Sequence, residues 1–282
     1  MRVLCAHAFL LLLPLAACET AGGSATRPER STPPVLAYDD TGPDEGTRAT
    51  LLLVHGWSCD RRVWTGTLEA LAPEVRVIAV DLPGHGESPA AESYTMDAMA
   101  AALAEFLDAL SIERCVLVGH SNGTSVARQF ERRYPERTRG LVNIDGAFRQ
   151  MVTLDQARAF AAQLRGPEYL ALVEPMVEGM LPRRDAEAGD RVREVMLSVD
   201  PEVMARTLEA SADPAIWTAD TIRVPTLVIQ AEAPFWDADY EAFVRELAPG
   251  VEYHVIPDVS HFVMLDAPEE LRELVSDFVA RL

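Results

Sequence analysis

The sequence predicts an α/β fold: a mostly parallel, doubly wound sheet with a helical insertion. Three observations predict it. Six short runs rich in Val, Ile and Leu recur along the chain, segments with apolar residues at helical spacing separate them, and one long interval, 148–221, has helical periodicity and no strand-like run. With 282 residues and 49% hydrophobic content, the chain is long and apolar enough for one substantial domain of this kind.

The first element is a leader, "MRVLCAHAFLLLLPLAAC". One positive charge, Arg2, precedes an apolar run that is shorter than the roughly 20 residues needed to span a bilayer, so residues 1–17 read as an export signal. Leu15-Ala16-Ala17-Cys18 resembles the lipobox of bacterial lipoproteins, in which cleavage before the cysteine leaves its sulfur diacylated. An ordinary signal peptide cut near Ala17 is the alternative. Two acyl chains hold a protein on a membrane where one does not. Residues 18–34 are small, polar and Pro-rich, as in a flexible tether. The expectation is an exported protein of the bacterial envelope, on the periplasmic or cell-surface side, touching the membrane only through a lipid at Cys18.

The core is expected in 35–147 and 222–282. Its strand-like runs are 49–56, 75–86, 115–121, 140–147, 225–232 and 251–258, whose near-continuous branched residues predict burial on both faces. Segments 96–110, 122–134 and 265–282 carry the helical pattern. The interval 148–221 is expected to cap the sheet at the C-terminal ends of its strands, where open α/β sheets bind ligands. A separate helical domain with no contact to the site is the other reading.

Composition excludes several chemistries. The chain carries 44 acidic against 25 basic residues, a formal charge of −19, which disfavours a nucleic-acid partner and suits a soluble acidic surface. Every basic residue is arginine. The absence of lysine rules out a Schiff-base lysine, a phosphate-binding P-loop lysine and a Ser-Lys dyad. Cys5 and Cys18 belong to the leader, which leaves Cys59 and Cys115 in the body, too few for a disulfide framework and best read as packing. No H-E-x-x-H or clustered His/Asp pattern points to a metal, and no cofactor is implied.

The chemistry-bearing signal is "VGHSNGTSV", where Gly119-His120-Ser121-Asn122-Gly123 fits G-x-S-x-G between a buried strand and a helix. The glycines relieve crowding around a serine in a tight strand-to-helix turn. Ser121 is then exposed above the sheet, with the Asn122 amide and the helix N-terminus facing a developing negative charge.

Two further segments agree: "LLLVHGWSCDRRVW", in which a strand ends in His55-Gly56-Trp57, and "DLPGHGES" after the next strand. From these motifs the chain resembles the α/β-hydrolase fold family over residues 35–282. The resemblance implies that the Trp57 amide joins that of Asn122 as an oxyanion hole and that Gly84-His85-Gly86 is a structural turn. It also implies that His261, in the loop after the last strand, is the general base; the family more often has glycine where Ser260 precedes it.

The third catalytic residue is less plain. In the family the acid usually follows the strand at 225–229 in a pattern like P-T-L-V-I-x-G-x-x-D, but here the glycine position is Ala231 and the aspartate position is Pro234. Glu232 and Asp237 could substitute, although Asp237 and Asp239 also suit the N-terminus of the following helix. A second family solution places the acid after the preceding strand, which ends in Asp145, and that assignment is preferred although Asp-Gly is also a turn signal.

The sequence therefore predicts a serine hydrolase that cleaves an ester-like acyl bond of a small molecule through Ser121, His261 and Asp145. Lactone, amide or carbon–carbon hydrolysis and acyl transfer are alternatives at the same site. A noncatalytic envelope binding protein retaining the fold is the alternative of a different class. A serine nucleophile argues against the family's haloalkane dehalogenases and epoxide hydrolases, which use aspartate there.

Overall fold

A computed structural model describes residues 36–42 and 49–282. The expected signal and tether, Cys18 included, lie outside the described residues. Seven strands form one sheet: β1 (Tyr38–Thr41), β2 (Thr50–Val54), β3 (Arg76–Val80), β4 (Cys115–His120), β5 (Thr138–Ile144), β6 (Thr226–Ala231) and β7 (Glu252–Ile256), in the order β1-β3-β2-β4-β5-β6-β7. β1 runs antiparallel to β3 and every other pairing is parallel.

β2 to β7 occupy the six expected runs. β3, β4 and β6 are buried throughout, because helices cover both faces of a parallel sheet. β7 departs from the expectation of burial on both faces: as the last strand it has a neighbour on one side only, and Val255 is 44% exposed. β1 is not among the expected runs. Tyr-Asp-Asp-Thr has no apolar pattern, and its pairing to β3 at the sheet edge is a tertiary effect.

The helices are α1 (Thr65–Leu71), α2 (Met96–Ala109), α3 (Asn122–Arg133), α4 (Leu154–Leu164), α5 (Tyr169–Met180), α6 (Ala186–Ser198), α7 (Pro201–Ser211), α8 (Ala238–Leu247), α9 (Val263–Asp266) and α10 (Pro268–Ala280). Side-chain caps set several starts: the Thr95 hydroxyl accepts from the Ala98 N–H, and Thr153 with Gln156 forms a capping box. The expected helix over 265–282 divides into α9 and α10. Pro268 disfavours helical geometry at the residue before it, and Ala267 sits at φ −132°, ψ 55°.

Helices α4 to α7 fill the interval between β5 and β6, with α4 packed on α7 and α5 on α4 and α6. Their buried side chains, including Val173, Val177 and Met204, join the same apolar core as Val54, Val118 and Ile229 of the sheet. Full burial of each such side chain contributes about 1.5–3 kcal/mol. No helix among the described residues is long and apolar enough to cross a membrane.

Candidate active site

Ser121 is the junction between β4 and α3, and its backbone is forced into an unusual shape. At φ 53°, ψ −122° it lies in a region that costs a non-glycine residue about 1–3 kcal/mol. The surroundings hold it there: the Ser121 N–H donates to the Ile144 carbonyl (2.9 Å), and the Thr124 N–H donates back to the Ser121 carbonyl (3.0 Å). Neither flanking glycine tolerates a side chain. A Cβ on Gly119 would lie 2.6 Å from the Thr124 nitrogen, and one on Gly123 would collide with the Val54 and His55 carbonyl oxygens.

Asn122 opens α3, so its N–H has no acceptor within the helix and sits at the positive end of the dipole. Gly56 and Trp57 follow β2, whose Val54 pairs with Gly119 of β4, so both strand ends reach the same edge of the sheet. The Trp57 indole N–H donates to the Met204 carbonyl on α7 (2.9 Å), tying this loop to the helical segment above it.

His261 lies in the loop between β7 and α9. Its Nδ1–H donates to Asp145 Oδ2 at 2.6 Å. Asp145, at φ 45°, follows β5 directly and extends the ladder by donating its N–H to the Ile229 carbonyl (2.8 Å). Its other oxygen, Oδ1, accepts from the Ala231 N–H (3.0 Å) and the Trp236 indole N–H (2.8 Å). Three donors thus orient one buried carboxylate. The turn beneath it is pinned by Asn143, which exchanges two hydrogen bonds with Gly146, and by the Gln230 amide, which donates to the Gly146 carbonyl at 3.0 Å.

The two other carboxylates considered for this role lie elsewhere. Glu232 is exposed, and its N–H donates to the Ile256 carbonyl (3.0 Å). Asp237 caps α8, accepting from the Tyr240 N–H (2.8 Å). Both belong to the loop after β6, as does Trp236; an indole donor to Asp145 has no signature in the sequence that would announce it.

The remaining motif histidines are fixed and neutral. His55 donates from Nδ1 to the Gly56 carbonyl and accepts at Nε2 from the Leu82 N–H (both 2.9 Å), and burial pulls its pKa down to about 4. His85 donates to the Pro83 carbonyl (3.0 Å), with burial taking its pKa to about 3. His120 donates from Nε2 to the His261 carbonyl (2.9 Å), supporting the loop that carries His261, and burial holds it well below the usual imidazole range. Cys59 is buried, and that burial pushes its thiol above the ordinary range, away from the reactive thiolate.

Asp266 is a second feature that sequence reasoning does not find. Its Oδ2 accepts from the Ser260 N–H (2.6 Å), while Oδ1 accepts from the Arg183 and Arg184 N–H groups (2.8 and 2.9 Å). One buried carboxylate therefore joins the His261 loop to the loop between α5 and α6.

Two cavities meet at Ser121. One of about 300 Å³ is lined by Asn122, Asp145, Leu208, Trp217, Phe235 and Trp236 among others, and a smaller one of about 40 Å³ by Trp57, Met180, Met196, His261 and Phe262. A serine in a strained strand-to-helix turn, beside a carboxylate-bound histidine and at the N-terminus of a helix, can perform nucleophilic acyl chemistry.

The model of the "Alpha/beta hydrolase family" matches residues 51–274. The chain belongs to the alpha/beta hydrolase family. This hydrolase is 30% identical to a thermophilic esterase from Thermogutta terrifontis, with a TM-score of 0.75 over 87% of its own length and 93% of the esterase's. It is 29% identical over 261 residues to the pimeloyl-[acyl-carrier protein] methyl ester esterase of Aeromonas hydrophila, covering 84% of this chain and 96% of that one. It is also 30% identical over 250 residues to the biotin biosynthesis bifunctional protein of Cellvibrio japonicus; the match covers 84% of this chain but 48% of that relative, so the hydrolase spans about half its length. The chain is a hydrolytic enzyme of esterase-like kind.

Proposed function

We propose that this hydrolase cleaves esters of small molecules through a Ser121-His261-Asp145 triad. The observation that carries the reading is the 2.6 Å contact between His261 Nδ1 and Asp145 Oδ2, beside a serine held in the strained turn between β4 and α3. His261 takes the Ser121 proton as the hydroxyl oxygen attacks the ester carbonyl and returns it to the departing alcohol. Asp145 holds the ring and stabilises the imidazolium. The Asn122 and Trp57 amides receive the oxyanion, where losing one donor typically costs roughly 10²- to 10³-fold in rate. Water then frees the acyl group by the same steps in reverse.

The region before residue 35 is read, within the same proposal, as an export signal and a tether anchored by lipid at Cys18. A Cys18→Ser variant then moves from the membrane fraction to the soluble fraction. The catalytic reading is tested with p-nitrophenyl butyrate. Ser121→Ala and His261→Ala are each expected to lower kcat by at least about 10⁴-fold; retention of turnover in Ser121→Ala contradicts it.

A further inference from the structure

We infer that the two cavities meeting at Ser121 divide the ester between them: a neutral apolar acyl chain in the larger, and a small alcohol in the smaller. This rests on the serine-esterase reading above. Ser121 lines both cavities, whereas His261 lines the small one and not the large one.

The chemistry makes that difference decisive. When the Ser121 oxygen bonds to the carbonyl carbon, its proton passes to His261; when the intermediate collapses, the bond from carbon to the alkoxy oxygen breaks and that oxygen takes the proton from His261. The alcohol leaves and the acyl group stays on Ser121. His261 has Nδ1 committed to Asp145, so Nε2 is the nitrogen that must reach the leaving oxygen. The leaving group therefore belongs in the space that His261 lines.

Size and polarity then set the substrate class. A single water needs roughly 10–15 Å³ of such space, so the small cavity of about 40 Å³ suits an alcohol of two or three heavy atoms. Met180 and Met196 are among the residues that line it, and their unbranched side chains bring flexible apolar surface to its wall. The large cavity, at about 300 Å³, is twice the roughly 150 Å³ that encloses a benzene ring. Leu208, Ala212, Trp217 and Phe235 give it apolar walls, and no arginine among the described residues lines it. Among the described residues its one charged lining residue is Asp145, whose carboxylate is bound to His261. An acyl chain ending in a carboxylate or phosphate would meet no cation among these walls.

The test uses purified full-length protein and two isomeric esters, methyl hexanoate and pentyl acetate, followed by acid release. The partition predicts kcat/KM about ten-fold or more higher for methyl hexanoate, since each misplaced methylene costs a substantial fraction of that factor. Monomethyl adipate, which adds a terminal carboxylate to a chain of similar length, is expected to fall at least about ten-fold below methyl hexanoate. Met196→Ala is expected to raise the rate on pentyl hexanoate relative to methyl hexanoate by about ten-fold. Equal rates for the two isomers, or a preference for pentyl acetate, overturn the partition while leaving the esterase reading intact. If neither ester is cleaved in a Ser121-dependent manner, the esterase reading itself falls and the partition with it.

Discussion

Asp145 and His261 are 116 residues apart in the chain and 2.6 Å apart in the fold. β5 delivers one and the loop after β7 delivers the other to the same edge of the sheet, which places the Asp145 carboxylate against the ring of the proposed base. Asp145→Asn is expected to reduce kcat on an aryl ester by about 10³- to 10⁴-fold, because an amide neither fixes the tautomer nor stabilises the imidazolium. Glu232→Gln and Asp237→Asn are expected to stay within about two-fold of the wild type, since one is exposed and asparagine caps α8 as well as aspartate does. Collapse of activity in Asp237→Asn with near-full turnover in Asp145→Asn would reverse the assignment.

Trp236 makes a narrower claim. Trp236→Phe keeps an aromatic ring in the cavity wall but removes the N–H that reaches Asp145 Oδ1 at 2.8 Å. A hydrogen bond to a charged group contributes about 1.5–3 kcal/mol, so kcat should drop roughly ten-fold or more if that energy orients the carboxylate for catalysis. An unchanged kcat would mean that the Ala231 N–H at Oδ1 and His261 at Oδ2 suffice to hold it.

The strain at Ser121 predicts opposite effects on activity and stability. Ser121→Gly removes the proposed nucleophile yet suits φ 53°, ψ −122°, and after allowing for the looser unfolded chain it should gain about 1 kcal/mol. Calorimetry is expected to show a Tm about 2–4 °C higher than wild type. A lower Tm would place the strain elsewhere.

Acid should destabilise the fold in two stages. His55, His85 and His120 are buried with lowered pKa values, so the unfolded chain takes up protons below about pH 6.5 that the folded chain refuses. Each contributes stability that is present above that pH and lost as pH falls, at up to about 1.4 kcal/mol per pH unit between pH 6.5 and its folded value. The second stage involves Asp266. Burial opposes its ionisation, but hydrogen bonds from Ser260, Arg184 and Arg183 outweigh this and hold the carboxyl below the usual carboxylate range. Its contribution is complete above about pH 4 and lost below it. Asp266→Asn should therefore be less stable than wild type at pH 7, with the gap narrowing towards pH 3 in thermal melts. A gap independent of pH would mean the carboxylate charge is not what joins the two loops.

Much of this arrangement was legible because it depends on local pattern. Runs such as "LLLV" and "VIAV", recurring between helical segments, fit central strands, and G-x-S-x-G between strand and helix fits the tight turn at Ser121. The edge strand β1 was not legible, because "YDDT" is extended only through its partner β3. The proposed acid was legible as a preference and not as a certainty: Pro234 removed the usual position and favoured Asp145, while Glu232 and Asp237 also followed a strand, and the contact of Asp145 with His261 and the capping by Asp237 emerge only in three dimensions. Trp236 and Asp266 act through single long-range hydrogen bonds, for which the sequence carries no periodicity or spacing.

The most direct test of the account is covalent. Wild-type protein treated with a fluorophosphonate and digested for mass spectrometry should carry one adduct, on Ser121, and Ser121→Ala should carry none. Absence of an adduct on the wild type, or an adduct on another residue such as Ser125, would contradict the central claim that Ser121 is the activated nucleophile.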